Sequence, residues 1–375
     1  MKILHVIKEL ETGGIQSQLL HLCRFSVGQK EAKIHLAAIG DGNLLEDFKN
    51  AGVVFHHFPV NKYFWDFKTL WQLRQLIKKE QFDFVHCHYV EEAFYVYFAS
   101  LGLSCKKALS FHVDMDVIST KDQKKFKYIA PKFDLNITVS NTFKKHLAAK
   151  GFQTDTFETV YNGVPILAEE NQKENDLKSA LKLPENAVLM VMIGGFYFGI
   201  RNQLFVCKAL KNFLPKYKNV HFAFVGGRSY RKNEVNKTYY DECYEYCKEN
   251  DLLHQIHFLG RRNDVNTWIG NVDAHIYCSE KDTFGMAVFE SVFAGIPTFV
   301  NNHPLFKEVT NNGELAFIYD YNQYEFLTEK ITSFLEKMDK HKSLAKKMSE
   351  KAKSTYSVNN QWNRLMELYQ KQLAN

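Results

Sequence analysis

The sequence predicts an α/β chain of two doubly wound units, on three observations. Apolar runs of strand length alternate with longer helical patterns, the alternation restarts after a polar segment, and glycines recur where strands end. At 375 residues the chain exceeds the range in which one hydrophobic core is the default. In the first half the strand-length runs fall at 3–7, 34–39, 53–58, 84–88, 108–112 and 135–139, with helical patterns at 14–25, 67–79, 91–100 and 141–150. Strands separated by helices in this way fit a parallel sheet covered on both faces. The second series has strands at 188–193, 221–225, 256–259, 274–278 and 298–301, with helices at 203–212, 239–249, 265–269 and 284–294. Residues 169–186, rich in Glu, Lys and Asn, follow the turn-like Asn162-Gly163-Val164-Pro165, so the domains are expected at 1–168 and 187–355 with a linker at 169–186. Helical patterns at 323–338, 342–353 and 359–373 close the chain; their apolar positions need packing while their lysines suit solvent. In such sheets ligands collect beyond the carboxyl ends of the strands, and the cleft between the two units is the expected site.

A formal charge of +6 and a pI near 8.7 permit a phosphate-bearing ligand or an anionic membrane face and do not require nucleic acid. The start, MKILHVIKEL, places Lys2, Lys8 and Glu9 where a secretory leader would be apolar, so cytoplasmic residence is expected. The longest uncharged apolar segment, 187–200, is too short to cross a bilayer and contains Gly194, Gly195 and Gly199. Seven scattered cysteines form no disulfide framework and read as reduced structural thiols.

Several strand ends carry chemistry. Gly13 and Gly14 follow the first strand and open a helix, where freed amides suit a diphosphate or the glycines simply serve a tight turn. His86 and His88 share a strand face but lack the third ligand a zinc site needs, so no metal is expected. His112 ends a strand ahead of Asp114 and Asp116, placed to donate to a ligand hydroxyl or to satisfy the fold. Arg201 and Asn202 begin the helix after Gly194-Gly195, and the guanidinium can fork onto phosphate oxygens. Gly226 and Arg261 sit at two further strand ends, near a base or ribose or at the surface. The stretch SEKDTFGMAVFESVFAGIPTF puts Asp282 just before an expected helix at 284–294 and Glu290 two turns into it. Eight residues of helix climb about 12 Å, too far for a close glycosidase-like pair. A sugar at Asp282, phosphates on the amides of Phe284, Gly285 and Met286, and a ribose diol at Glu290 would use the whole stretch.

With these motifs assembled, the chain resembles the group-1 family of retaining glycosyltransferases, whose GT-B architecture has two Rossmann-like domains facing across a cleft. The likeness runs through Gly13-Gly14, FDFVHCHY, His112, ITVSN, VYNGVP, Arg201-Asn202, HFAFVGG, IHFLG and DTFGMAVFESVFAGIP, nearly the full length. It implies a second domain binding a nucleoside diphosphate sugar, a UDP-sugar ahead of a GDP-sugar, and a first domain binding a glycan or lipid-linked acceptor. The last helix, 356–375, would cross back to the first domain. Glu290 is similar to the family's ribose-binding glutamate, Asp282 to its sugar-contacting glutamate, His112 to the histidine beside the transferred sugar, and Arg201 to the basic residue on the phosphates. In such enzymes the leaving phosphate helps deprotonate the acceptor, and neither a metal nor an enzymic nucleophile is implied. Asp282 is one methylene shorter than the family glutamate, Gln16 replaces a frequent glutamate, and Gly195 or Phe196 stands where an arginine is usual. An epimerase or phosphorylase on the same scaffold, or an inactive nucleotide-sugar-binding subunit, would share much of this pattern. Lys121, Lys124, Lys125, Lys127, Lys132, Lys144 and Lys145, interleaved with Phe126 and Tyr128, suit a peripheral site on the inner membrane face or a solvated surface. Bacterial cell-surface polysaccharide or lipopolysaccharide synthesis is the expected setting.

Overall fold

The computed structural model, which describes residues 1–59, 66–228 and 238–374, divides into one unit of Met1–Pro165 with Tyr356–Asn375 and another of Ile166–Thr355. In the first unit β1 (Lys2–Ile7), β2 (Lys33–Ala38), β3 (Val54–His57), β4 (Phe84–Cys87), β5 (Lys106–Phe111), β6 (Leu135–Thr138) and β7 (Glu158–Thr159) form a parallel sheet in the order β3-β2-β1-β4-β5-β6-β7. Chain order reverses between β1 and β4, the place where open α/β sheets take ligands. The final helix, Val358–Ala374, lies in this unit against helix Gly14–Ser26: Trp362 meets Phe25 edge-on and Gln18 donates to Gln361 at 2.9 Å.

The second unit repeats the plan with β8 (Val188–Ile193), β9 (Val220–Val225), β10 (Ile256–Phe258), β11 (Ala274–Tyr277), β12 (Thr298–Asn301) and β13 (Phe317–Tyr319), ordered β10-β9-β8-β11-β12-β13. Its switch point lies between β8 and β11. Segment 169–186, expected as a linker, is built into this unit. Leu177 is buried with Trp268 and Ile269, and the Asn175 amide donates to the Thr267 carbonyl. Lys178 and Lys342 converge on the buried Asp273 at 2.7 and 2.8 Å. Burial opposes ionisation of that carboxyl, but the two lysines and the Leu189 amide outweigh it and hold its pKa below the usual range.

Short elements went unread in the sequence. β7 and β13 have two and three residues, and helix Thr120–Ile129 buries only Phe126 and Ile129, too few apolar positions to set a period. All seven cysteines are buried and unbridged, and among the described residues no helix is long and apolar enough to cross a membrane.

Candidate active site

In the second unit, the ends of the adjacent strands β8 and β11 bring Arg201 and Asp282 together through a residue the sequence did not single out. Arg201 Nε donates to the Tyr277 hydroxyl at 2.9 Å, and that hydroxyl donates to Asp282 Oδ2 at 2.7 Å. Tyr277 is fully buried on β11. Its strand alternation was legible, but not that its hydroxyl would bridge these two groups. Burial works against the Arg201 charge; Tyr277 and Asp282 outweigh it and raise its pKa above the ordinary arginine value. Nη1 and Nη2 make no hydrogen bond among the described residues and remain to meet an anion. A Cβ at Gly194, where φ is +157°, would lie 2.6 Å from Arg201 Nε, so that glycine keeps the space the arginine needs.

Asp282 is largely engaged within the protein. Its Oδ1 accepts from the Thr283 amide at 2.9 Å and, at 3.5 Å, from the Phe284 amide. The amide of Phe284 is therefore used inside the loop, and its ring is buried against Phe289. Helix Met286–Phe293 starts two residues later than expected because Gly285, at φ 89°, turns the chain through the left-handed region. Glu290 accordingly sits about one turn into the helix, not two, and helix rise is no measure of its separation from Asp282. The amides of Gly285, Met286 and Ala287 have no hydrogen-bond partner among the described residues, and no side chain caps the helix. Such a terminus accepts phosphate oxygens.

The Glu290 carboxyl differs from that of Asp282 in having no hydrogen bond or ion pair among the described residues. Burial alone pushes its carboxyl up to about 7. A partly desolvated carboxyl without a partner suits a ligand that brings hydroxyls.

Two expected contacts have structural employment instead. Asn202 caps helix Gln203–Phe213, its Oδ1 accepting from the Phe205 amide at 3.0 Å while Nδ2 donates to Glu280 at 2.7 Å. A Cβ on Gly226 would fall 2.0 Å from the Gly194 carbonyl, so this glycine lets β8 and β9 end side by side. Arg261 is exposed, its Nε 3.5 Å from where a Gly227 Cβ would be. Of Gly195 and Phe196, the two residues at the place where the resemblance expects an arginine, Phe196 is buried against Phe224, Tyr240 and Phe258.

In the first unit Gly13 precedes the helix with φ −166°, an extended conformation open to any residue, and no side chain caps the helix start. The Gln16 side chain turns back to the Glu9 carbonyl at 3.1 Å. His112 follows β5 and lies 3.2 Å, Nε2 to Nδ1, from His88, which meets His5 at 3.0 Å. His86 lies between Tyr369 Oη, 2.6 Å, and Ser110 Oγ, 2.8 Å. Burial lowers the pKa of all four imidazoles, of His5 and His112 to about 4.

Two parallel doubly wound units, one carrying a free cation, an uncapped helix start and an unpartnered carboxyl at its switch point, define a GT-B glycosyltransferase fold. The chain belongs to the group-1 glycosyltransferases: residues 173–355 match the model described as glycosyl transferases group 1, and residues 12–166 the one described as glycosyltransferase family 4. It is 21% identical to spore coat protein SA of Bacillus subtilis (strain 168) over 355 residues, 91% of each chain. It is 18% identical to N-acetyl-alpha-D-glucosaminyl L-malate synthase of Bacillus anthracis over 316 residues, covering 80% of this chain and 78% of that one. The crystal structure of Anabaena HepE in complex with UDP and glucose superposes with a TM-score of 0.83 at 17% identity, covering 99% of this chain and 100% of that one.

Proposed function

We propose that this glycosyltransferase moves a sugar, with retention at the anomeric carbon, from a nucleoside diphosphate sugar to a hydroxyl of a glycan or lipid-linked acceptor, without a metal. The observation that carries this reading is the set at the ends of β8 and β11: Arg201 with two unpaired nitrogens, amides of Gly285, Met286 and Ala287, and unpartnered Glu290. Phosphates would lie on the amides and Arg201, the ribose diol on Glu290, and the sugar near Asp282. As charge grows on the leaving phosphate, the fixed donors stabilise the transition state more than the ground state. A UDP-sugar is the favoured donor, in keeping with the UDP and glucose in HepE. The test is a donor screen read by the mass of the acceptor product, with its anomeric configuration assigned by NMR. Binding without product would favour an inactive nucleotide-sugar-binding subunit, a reading supported by Gly195 or Phe196 standing where the resemblance expects an arginine.

Replacing Glu290 by Gln is expected to weaken UDP binding about 10-fold at pH 8, the scale of one hydrogen bond to a charged group. Because the carboxyl ionises near 7, wild-type affinity should rise more steeply between pH 6 and 8 than that of E290Q, which keeps only the ionisation of the UDP phosphate at about pH 6. Titration calorimetry with UDP reads both; parallel pH curves would remove Glu290 from the site.

The acceptor side is proposed to work at an anionic membrane surface, on the cytoplasmic face, in cell-surface polysaccharide or lipopolysaccharide synthesis. Supporting it, Phe94, Thr120, Lys121, Lys124, Lys125 and Tyr128 line a cavity of about 470 Å³ in the first unit. Tyr128, Phe98 and Leu101 are exposed nearby, and Lys132 lies 4.6 Å over the Tyr128 ring. Lys125 is paired with Asp122, Lys127 lies over Phe152, and Lys144 bonds the Phe157 carbonyl; of the exposed Lys121, Lys124 and Lys145, the first two line the cavity and are the lysines offered to lipid. Co-sedimentation with vesicles containing phosphatidylglycerol should fall with salt and drop several-fold in a K121E/K124E variant; equal binding to neutral vesicles would discard the membrane role.

A further inference from the structure

The parallel register puts three histidines in one row. His5 on β1 pairs with His86 on β4, and His86 with Ala108 on β5, so His88, two residues beyond His86, and His112, four beyond Ala108, follow on that side of the sheet. The ring contacts make them a chain: His5 Nδ1 to His88 Nε2 at 3.0 Å, then His88 Nδ1 to His112 Nε2 at 3.2 Å. His86 stands beside it, its centroid 4.6 Å from that of His88, but both its nitrogens are spent on Tyr369 and Ser110. Three ligand atoms of His5, His86 and His88 do lie within 4.8 Å of one another. A metal there would have to break the bonds of His86 and the His5–His88 bond together, which makes the hydrogen-bonded row the better account.

A neutral imidazole has one N–H and one bare nitrogen. Each of the two inter-ring bonds needs one hydrogen, and both nitrogens of His88 are committed. If His5 donates from Nδ1, His88 accepts at Nε2 and must donate from Nδ1, which leaves the His112 proton on Nδ1. If His112 donates from Nε2 instead, His88 donates from Nε2 and the His5 proton lies on Nε2. Any mixed arrangement sets two protons or two lone pairs face to face in a buried site, where unmet polar groups are costly. Burial keeps the rings neutral, as their lowered pKa values indicate.

We infer that His5, His88 and His112 hold one common tautomer, and that His88 is the positioning residue deciding whether His112 presents a proton or a lone pair to the ligand. The functional half of this inference rests on the glycosyltransferase reading, in which His112 lies beside the transferred sugar. A sugar hydroxyl meets a donor in one state and an acceptor in the other, so a row settled before binding spares the enzyme that adjustment.

Ring nitrogen-15 spectra of histidine-labelled protein read the tautomers directly, without substrate. The wild type should give the same Nδ1–H fraction at His5, His88 and His112; unequal fractions would overturn the inference. His88→Phe retains a ring but no nitrogen, and should shift the His112 fraction. His5→Phe, two rings away from His112, should shift it as well, an effect that local packing would not produce. Unchanged His112 signals in both folded variants would also overturn it. In the activity arm, UDP release from UDP-glucose should fall about 10-fold in kcat with little change in KM, and an unchanged kcat despite a shifted tautomer would remove the positioning role. If the wild type releases no UDP from UDP-glucose, UDP-glucose is excluded as the donor, and the spectra still decide the common tautomer.

Discussion

Arg201→Ala should lower turnover by about 10²- to 10³-fold, the loss seen when one fixed donor to a developing oxyanion is removed, while UDP affinity changes far less. The protein spends considerable structure on this side chain. Gly194 leaves the room for it, Tyr277 holds Nε, and the rings of Tyr197 and Tyr277 lie 5.8 Å from its guanidinium carbon. The remaining nitrogens are aimed by those contacts, which is the preorganisation that makes a cation useful in a transition state. Gly195 and Phe196 add no second cation beside it, so Arg201 shares the charge only with the helix-start amides. Arg201→Lys should recover only part of the loss, since a single ammonium cannot fork across phosphate oxygens. Tyr277→Phe, which removes the clamp and leaves the cation, should cost about 10-fold. Single-turnover kinetics with the donor found in the screen would check the series; an R201A variant within threefold of wild type would end the assigned role.

The second large effect is expected from acid. In the first unit burial takes His5, His21, His35 and His112 down to about 4 and His86 and His88 well below their usual value. These groups bind protons in the unfolded chain near 6.5 but not in the folded one, so the stability they contribute is present above that pH and is lost as pH falls from 6.5 toward 4. A shift to about 4 is worth about 3 kcal/mol per histidine, and His5 and His112 together approach the total stability of a typical domain. Buried Glu92 acts in the opposite sense. Its carboxyl is raised to about 7, so it takes up its proton earlier in the folded state and offsets about one histidine. In the second unit His275, lowered to about 3, and His221 and His257, also lowered, are opposed by Glu290, raised to about 7. With more lowered histidines, the first unit should therefore lose stability before the second as pH falls toward 5. Hydrogen exchange at β1 and β4 should accelerate before that at β8 and β11; simultaneous loss, or a urea midpoint unchanged between pH 7 and 5, would refute the assignment.

Much of this protein could be read along the chain. The major strands, both rounds of α/β alternation and the helices that follow β8 and β11 are local patterns, because strand and helix periods are written in consecutive residues. Arg201 and Glu290 were legible for the same reason, the one just before and the other within a helix that follows an apolar strand. The start of helix Met286–Phe293 was not legible: Asp282 draws in the Thr283 and Phe284 amides before Gly285 turns the chain. Segment 169–186 looked like a linker because it is polar, yet buried Leu177, with Leu181 and Leu183 packed beside it, joins it to a core whose other buried members come from residues 189–296.

The sequence by itself determined the class of fold, the ends of the principal strands and the residue types available at each, since these follow from short-range periodicity and turn chemistry. Only the tertiary structure decided what those residues do. It joined Arg201 to Asp282 through Tyr277, gave Asn202 to a helix cap and Gly226 to strand packing, left Glu290 without a partner, and lined up His5, His88 and His112. Each of these depends on strand register or on a distance between segments far apart in the chain, and neither is set until the two sheets are assembled.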